Sequence, residues 1–246
     1  MSKTITTSYL KAKYKGKYYY LAMYCTYSID STDFNSKKLT FSAGFRTKTR
    51  NLSMGTIKLT ATATNTNGAK LSASKSAKFS RKTSSPAQTY ISNTVWTLPR
   101  QSGNKTVTVN LVGTMGTTRF SGKKLNLTLK IDVDAKGQPL VSFVAQRNID
   151  DAVLSIDVNA GLAGASITAP SITYDKTTVT PAWKLNGATV TFPHKMTSAH
   201  ELLTATLADN IDEMHSRTYS VSCSVAGNSI SQVSTIANSK DPIWKG

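Results

Sequence analysis

Residues 214–237 read MHSRTYSVSCSVAGNSISQVSTIA, and this stretch shows the pattern from which most of the chain is built. From residue 218 to residue 225, Tyr, Val and Cys alternate with Thr and Ser. Such alternation turns one row of side chains towards a buried face and the other row towards water. The segment Ala-Gly-Asn at 226–228 then interrupts the run, because a tight turn needs residues that accept a positive φ. We therefore predict a strand, a turn and a return strand over 230–236.

The same design recurs along the chain. In residues 57–64, Ile, Leu and Ala alternate with Lys and Thr, and the polar segment 65–68 makes a turn before a return over 69–79. The strongest predicted strand covers 125–133, where Leu, Ile and Val alternate with polar residues. Turn signals recur about every 8–12 residues, a spacing typical of sandwiches and barrels. The sequence therefore predicts an all-β fold of tandem small antiparallel β-sandwich domains.

One segment, residues 197–209, has a pattern that fits either kind of regular element. Leu202, Leu203 and Leu207 fit the spacing of a helix face. Leu203, Ala205 and Leu207 alternate as the buried row of a strand would. Both patterns are consistent with one buried face, so the segment stays open between a helix and a strand.

Two segments with the composition of loops suggest domain boundaries. Residues 80–86 are polar and end in Pro, and residues 166–170 form a second joint that also ends in Pro. A chain of 246 residues can hold one large β domain or two to three small ones. The sequence thus predicts at least two domains, with a preferred division into three: a basic β-sandwich domain over 1–85, a middle β domain over 86–165 and a C-terminal β-sandwich domain over 166–246.

The charge of the chain is large and unevenly placed. Thirty Lys and Arg against 13 Asp and Glu give a formal net charge of +17. Residues 1–100 hold 17 basic and 2 acidic residues, residues 101–150 hold 7 and 3, and residues 151–246 hold 6 and 8. These segments carry +15, +4 and −2. This uneven distribution of charge suggests an acidic partner for the N-terminal part of the protein.

The sequence also bears on the protein's surroundings. No apolar run approaches the roughly 18–20 residues of a membrane helix, and the first five residues, MSKTI, lack the apolar core of a secretory signal. We expect a soluble protein that has no membrane partner and does not use the usual export route. Neither Cys25 nor Cys223 has a second ligand at metal-binding spacing. We interpret them as two separate buried thiols, with a disulfide between them as the alternative.

The residues that most often carry chemistry form no pattern expected of an active site. The three histidines, His194, His200 and His215, have no familiar metal-ligand spacing, and neither a Gly-x-Ser-x-Gly elbow nor a Gly-rich phosphate loop occurs. Glycosidases use two carboxylates, so paired acids are candidates for catalysis. The pairs are Asp132 with Asp134, Asp150 with Asp151, and Asp212 with Glu213. We interpret all three as surface acids and predict a non-enzymatic protein without catalytic residues, cofactor or metal.

The N-terminal part contains a stretch in which cations and aromatic residues interleave. Residues 11–27 hold four Lys and six Tyr, a combination that can bind an acidic protein surface, an anionic polymer or sugar, or single-stranded nucleic acid. The simplest alternative is a strand pair with Tyr on a half-buried face and Lys protecting an exposed edge. The candidate residues for contact with an anionic partner are Lys11, Lys13, Tyr14, Lys15, Lys17, Tyr18, Tyr20, Lys37, Lys38, Arg46, Lys48 and Arg50.

The chain resembles a known type of domain at both ends. The run 219–223, YSVSC, resembles the late strand of immunoglobulin-like domains, in which a Tyr precedes a core Cys. That Tyr stands two residues before the Cys in the family and four residues before it here. Trp183 could take the place of the family's core Trp, and residues 55–73 look like the closing hairpin of another such domain. Tandem Thr/Ser/Asn-rich domains of this kind are similar to those of tailed-bacteriophage virion proteins.

This resemblance implies a function and a setting. The protein would be a non-enzymatic structural component of a virus particle, made in the host cytoplasm and assembled into a tail, baseplate or capsid-associated position. Its partners would be other virion proteins in a homo-oligomeric or symmetric assembly, with an acidic protein or polymer surface at the N-terminal part. Two alternatives remain: a cell-surface glycan-binding or receptor-binding module, and a nucleic-acid-binding coat protein.

Overall fold

The computed structural model describes residues 1–101, 103, 105–116, 119–149, 151–208 and 215–238, and every regular element among them is a β-strand. All paired strands run antiparallel. The predicted all-β antiparallel fold is therefore confirmed. The described part of the chain contains no helix that could cross a membrane.

The chain packs as two compact units rather than three. The first comprises Met1–Ser31 and Asn35–Ala135, and the second comprises Thr32–Phe34 and Lys136–Gly246. The predicted joints at 80–86 and 166–170 both lie inside a unit. The cause at the first joint is long-range pairing. The strand that follows this joint forms hydrogen bonds with a strand that precedes it.

The first unit is built from two sheets. One has the order β1-β3-β4-β7, with β2 also paired to β3, and the other has the order β6-β5-β8-β9. Its strands are β1 (Lys3–Thr6), β2 (Leu10–Tyr14), β3 (Lys17–Asp30), β4 (Ser36–Arg46), β5 (Asn51–Thr64), β6 (Lys70–Lys82), β7 (Ala87–Pro99), β8 (Thr106–Met115) and β9 (Lys124–Asp132).

The inward rows of both sheets form one continuous core in the first unit, which contains buried side chains from Ala12 to Val133. Edge-to-face aromatic pairs lie within it: Phe41 packs on Trp96 with ring centroids 4.9 Å apart, and Phe45 packs on Tyr90 at 5.0 Å. Because β7 supplies Trp96 and Tyr90 to the core formed with β4, the segment after residue 86 cannot be a separate domain.

The second unit also contains two sheets. One has the order β10-β11-β18-β15-β16, and the other has the order β14-β13-β19-β12-β17, with β20 paired to β19. Its strands are β10 (Leu140–Asn148), β11 (Asp151–Asn159), β12 (Ser166–Ile167), β13 (Ser171–Tyr174), β14 (Thr177–Val179), β15 (Lys184–Leu185), β16 (Ala188–Thr189), β17 (His194–Lys195), β18 (His200–Ala208), β19 (Arg217–Val225) and β20 (Asn228–Ile236).

In the second unit, the structure confirms the predicted hairpin and decides the segment that the sequence left open. The hairpin predicted over residues 218–236 is present as β19 and β20, which are joined by Ala226 and Gly227 with φ values of 51° and 80°. The segment 197–209 contributes strand β18, so its alternation, and not its helical spacing, describes it. Trp183 is buried and donates its indole N–H to the carbonyl of Pro170 at 3.0 Å.

The two cysteines are free thiols, as expected from their sequence positions. Cys25 is buried in the first unit, and burial raises its pKa to about 11. Cys223 is half-buried in the second unit, and burial raises its pKa too. Both side chains are therefore protonated near neutral pH and serve as small apolar groups.

The packing between the two sheets of the first unit makes a prediction at Gly113. A Cβ atom at this position would lie 2.6 Å from Cε1 of Phe45, so the ring occupies the space that a side chain would need. Gly113→Ala should lower the free energy of unfolding by about 1–3 kcal/mol through overpacking. Urea denaturation followed by tryptophan fluorescence would measure this loss.

A matched control lies three residues away. A Cβ atom at Gly116 would have the carbonyl oxygen of Thr56 as its nearest neighbour, at 4.0 Å. Gly116→Ala should change the free energy of unfolding by about 0.5 kcal/mol or less. Equal unfolding midpoints for the two variants would show that the Phe45 ring is not held against Gly113.

Candidate functional site

The hairpin formed by β2 and β3, residues 10–21 and hereafter the basic hairpin, carries most of the predicted interface. Lys15 and Gly16, with φ values of 47° and 76°, form its two-residue turn. The register places Lys11 opposite Tyr20 and Lys13 opposite Tyr18. Because side chains alternate along a strand, these four residues share one face, which points away from the core.

Cations on this face lie against tyrosine rings. The Lys11 ammonium is 3.9 Å and the Lys13 ammonium 5.7 Å from the ring centroid of Tyr18. The Lys48 ammonium lies 4.5 Å from the ring of Tyr20 and 4.9 Å from that of Tyr9. A cation over an aromatic face gains roughly 0.5–1 kcal/mol at an exposed site. These contacts hold the ammonium groups in place on the surface of the sheet.

The position of Lys48 depends on the threonines on either side of it. The hydroxyl of buried Thr47 donates to the carbonyl of Tyr20 at 2.6 Å and accepts from the N–H of Thr49 at 3.0 Å. The N–H of Tyr20 donates to the hydroxyl of Thr49 at 2.9 Å. Beyond the end of β4, bonds from side-chain hydroxyls therefore replace the backbone hydrogen bonds between β3 and β4. These bonds fix the loop that carries Lys48.

Two further cations reach the basic hairpin from the loop before β9. The Arg119 guanidinium lies 4.5 Å from the ring of Tyr19, and its Nη1 donates to the carbonyl of Ser53 at 2.7 Å. The ammonium of Lys123 donates to the carbonyl of Lys11 at 3.3 Å. Neither cation was predicted from the sequence, because both are more than 100 residues from the start of the hairpin and only tertiary packing brings them there.

The charges of the first unit are segregated within it. Its sequence has 22 Lys and Arg against three acids, a formal net charge of +19, whereas the second unit has 8 against 10, a net charge of −2. The three acids are Asp30, Asp132 and Asp134. Asp30 ends β3, twelve residues from Tyr18 and thus about 40 Å along the strand. The basic hairpin therefore has no carboxylate of its own sheet nearby.

The remaining predicted interface residues divide between the two ends of the first sheet. Lys37 and Lys38 begin β4, at the far end from the basic hairpin. Lys37 forms a 3.6 Å ion pair with Asp132 and its side chain is only 14% exposed, while Lys38 stands opposite Asp30. Lys37 and Lys38 therefore lie beside acidic residues, at the end of the sheet away from the basic hairpin.

The other predicted residues lie towards the basic hairpin. Arg46 ends β4 opposite Ala22 of β3, and Arg50 follows the Lys48 loop. Among the described residues, the Nε atom of Arg46 is buried without a hydrogen-bond partner. The structure therefore brings together one set of the predicted residues at this end of the sheet: Lys11, Lys13, Tyr14, Lys15, Lys17, Tyr18, Tyr20, Arg46, Lys48 and Arg50.

The second sheet of the first unit carries a shallow cavity of about 520 Å³. Short hydroxyl and amide side chains line most of it, with one cation at Lys70. Its volume lies in the range of small-molecule sites, roughly 300–1,000 Å³. The polar residues that line it are Thr62, Thr64, Ser72, Thr106, Thr108 and Asn110.

Backbone N–H groups bind both carboxylates of the acidic pair Asp132 and Asp134. The backbone N–H of Asp134 donates to Asp132 at 2.9 Å, and this bond, ahead of the nearby Lys37, lowers the pKa of the Asp132 carboxyl. The N–H of Lys105 donates to the carboxylate of Asp134. Of the other candidate acids, Asp150, Asp212 and Glu213 lie outside the described residues.

His194 takes part in a buried network in the second unit that was not predicted from the sequence. Glu201 is only 4% exposed and lies within hydrogen-bond distance of His194 Nε2, at 2.6 Å. It also accepts from the N–H and hydroxyl of Thr197 and the N–H of Ser198. The alternation of Leu203 and Ala205, extended backwards, puts residue 201 in the inward row, and an inward acid is the signal that could have indicated the network.

His200 has a different setting from His194. Its Nε2 pairs with the carboxylate of Asp157 on an exposed face, beside a cavity of about 210 Å³ that Ser142 also lines. Among the described residues, no group of three or more His, Cys, Asp or Glu could hold a metal ion. For His215, the backbone carbonyl accepts a bond from Arg147.

Of three comparisons with known proteins, two found no match and the third found weak structural likenesses. No protein-family model matches the sequence, and no curated protein matches it. One similar structure is red sea bream transglutaminase, with 11% identity and a TM-score of 0.33 over 88% of this chain and 31% of that one. Another is a serine-rich repeat protein of Streptococcus agalactiae, with 8% identity and a TM-score of 0.24 over 88% and 92%. The chain thus spans less than a third of the transglutaminase, and likenesses this weak carry no inference about this protein.

The buried Glu201 predicts a pH dependence of stability. Burial by itself raises the pKa of this carboxyl, but the hydrogen bonds from His194, Thr197 and Ser198 outweigh burial and lower it. A lowered pKa in the folded state stabilises the protein above the unfolded pKa of about 4.5, and this contribution is lost as the pH falls through the folded value. Glu201→Gln should therefore flatten the loss of stability below pH 4.5.

The variant should also cost about 1–3 kcal/mol of unfolding free energy at pH 7, because it weakens bonds to a buried charge. Asp157→Asn is the matched control, since it removes an exposed partner of His200 and should change stability by about 0.5 kcal/mol or less. Urea denaturation of both variants between pH 3 and pH 7 measures these effects. A Glu201→Gln protein with the wild-type pH profile would contradict the assigned network.

Proposed function

We propose that this protein is a non-enzymatic structural component of a virus particle, and that its basic hairpin attaches it to an acidic protein surface. One observation carries the proposal: a cluster of cations is positioned against tyrosine rings at one end of the first unit, away from the unit's acids. Such a surface attracts a partner of opposite charge at long range and speeds docking. Apolar contacts would then set the lifetime of the complex.

The spacing of the cations suits carboxylates on a protein. Lys11 and Lys13 are two residues apart on one strand, so their stems are separated by about 7 Å. Acidic side chains at alternate positions of an extended partner segment repeat at the same distance. A folded acidic protein surface can therefore match several ammonium groups at once.

The arrangement of the rings favours charge recognition over stacking. Sugar rings and nucleic-acid bases bind tyrosine through the face of the ring. In the basic hairpin, Lys11 lies over Tyr18 and Lys48 lies over Tyr20, so a stacking ligand would compete with these ammonium groups. This observation supports the acidic-protein partner over a nucleic-acid-binding coat protein.

The setting in a virus particle is supported by the resemblance to tandem immunoglobulin-like virion domains. The presence of many copies in a tail, baseplate or capsid would also suit a surface that binds its partner through exposed charges. Single exposed ion pairs contribute only roughly 0–1 kcal/mol, and symmetric copies strengthen such contacts through avidity. Recovery of the protein in purified particles of the virus that encodes it, by mass spectrometry, tests this setting, and its absence from them would contradict it.

A glycan-binding module is the second candidate function. The cavity of about 520 Å³ on the second sheet favours it, because hydroxyl and amide groups line the cavity and can exchange hydrogen bonds with sugar hydroxyls. Binding of glycans on an array, lost in Asn110→Ala and kept when the lysines of the basic hairpin are replaced, would support this candidate over the attachment surface.

The attachment surface is tested by neutralising it. A variant with Lys11, Lys13, Lys15 and Lys48 all changed to Gln should bind poly-L-glutamate about tenfold or more weakly than the wild type, since four weak charge contacts are lost. Fluorescence anisotropy with labelled poly-L-glutamate at about 50–200 mM salt, a range chosen to reveal screening, measures the difference.

The control variant removes the same charge at other positions of the unit, through Lys38, Lys70, Lys105 and Lys130 to Gln. It should retain most of the wild-type affinity. Equal losses in both variants would show that net charge alone binds the polymer and would contradict a defined surface. Tighter binding to single- or double-stranded DNA than to poly-L-glutamate at equal charge would replace the proposal with the coat-protein function.

A further inference from the structure

The first sheet ends at a strand edge that runs beside the basic hairpin. Among the described residues, β1 and β2 pair only with β3. Thr6 stands opposite Tyr24, and Leu10 stands opposite Leu21. Between these two pairs the edge has three residues, whereas β3 has only two. This is the count of a β-bulge, and it lets β1 and β2 follow the same side of β3.

The turn of the basic hairpin determines which backbone groups of β2 point outwards. Tyr14 and Lys17 close the two-residue turn and face each other as a hydrogen-bonded pair. Backbone direction alternates along a strand, so Ala12 also faces β3, whereas the N–H and C=O groups of Lys11 and Lys13 point away from it. The hydrogen bond from the ammonium of Lys123 to the carbonyl of Lys11 agrees with this direction.

The outward backbone groups and the outward charges belong to the same residues. Lys11 and Lys13 are exposed, and their ammonium groups lie over Tyr18 on the solvent face of the sheet. Lysines on an edge discourage pairing with most strands, since a second basic or apolar strand would leave them unmatched. A strand with carboxylates at alternate positions is the exception, because opposite charges across a strand pair are stabilising.

We propose that an acidic β-strand of the partner adds to the edge of β2 and extends the first sheet. Backbone hydrogen bonds from Lys11 and Lys13 would hold the strand, and its carboxylates would lie beside their ammonium groups. Lys123 occupies one acceptor of this edge with a flexible side chain, which the incoming strand would displace. The inference rests on the proposed attachment to an acidic protein surface and specifies how the two chains meet.

The test separates backbone pairing from charge. The probe is an octapeptide that alternates Thr and Glu, compared with the same peptide carrying a methyl group on the backbone nitrogen of each Glu. The methylated peptide has the same charge but lacks the N–H donors that would face Lys11 and Lys13 when Glu stands opposite Lys. The Thr-Glu peptide should bind the full-length protein about tenfold or more tightly, because several edge hydrogen bonds are added. Isothermal titration calorimetry at low salt measures both affinities.

Two substitutions at one residue provide the matched protein variants. Lys13→Gln removes the charge and keeps the outward N–H, whereas Lys13→Pro removes both and leaves the ladder to β3 intact. Lys13→Pro should bind the Thr-Glu peptide about threefold to tenfold more weakly than Lys13→Gln, the effect of one lost hydrogen bond. Far-UV circular dichroism and the unfolding midpoint check that both variants fold.

Amide hydrogen exchange provides a measurement that does not depend on a variant. In the wild-type protein, the N–H groups of Lys11 and Lys13 should become protected when the Thr-Glu peptide binds. Equal affinities of the two peptides, or unchanged exchange at these amides, would overturn strand addition while leaving the acidic surface as the partner. Failure of both peptides and of poly-L-glutamate to bind would overturn the proposed function as well.

Discussion

Burial of one row of side chains from each strand is the constraint on which both units depend. In β9 the row formed by Leu125, Leu127, Leu129 and Ile131 is buried, while the residues between them are exposed. Each apolar side chain removed from water contributes roughly 1.5–3 kcal/mol, so the register of every strand is strongly determined. The same rule presents a second row to solvent, and that row is free to carry charge and recognition.

Charge segregation is the main consequence of this freedom in the first unit. A sandwich with a formal net charge of +19 repels itself, and one of its few acids, Asp132, pairs with Lys37 at the end of the unit away from the basic hairpin. At the basic hairpin, aromatic rings take the place of carboxylates. A tyrosine face attracts an ammonium group without neutralising it, so the surface keeps its positive potential while its lysines are held in place.

The second unit uses a charge in the opposite way. Glu201 faces the interior, and donors from the neighbouring loop satisfy its oxygens. A buried carboxylate is costly unless it is hydrogen-bonded, and a satisfied one fixes the groups that surround it. His194 is part of this arrangement, so the pairing of a histidine with an acid here stabilises a loop between β17 and β18 and gives no indication of catalysis.

Local sequence determined the elements of this protein, because turns and alternation depend on neighbouring residues. The hairpins at Gly16, at Gly68 and at Gly227 follow from their turn residues, and the all-β class follows from period-two patterns. Local sequence also located the cations and tyrosines of the basic hairpin, since they lie within one stretch. The alternation of 197–209 was compatible with a helix until pairing with β11 made it a strand.

Tertiary structure alone decided the number of units and the membership of the site. The pairing of β4 with β7 and of β5 with β8 joins segments on either side of a polar stretch that resembles a linker. Lys37 and Lys48 look equivalent in the sequence, but the length of β4 places them at opposite ends of a sheet. Arg119 reaches the hairpin from a loop about 100 residues away. The physical reason is the same in each case: alternation specifies which face a side chain occupies, whereas long-range strand pairing specifies which side chains become neighbours.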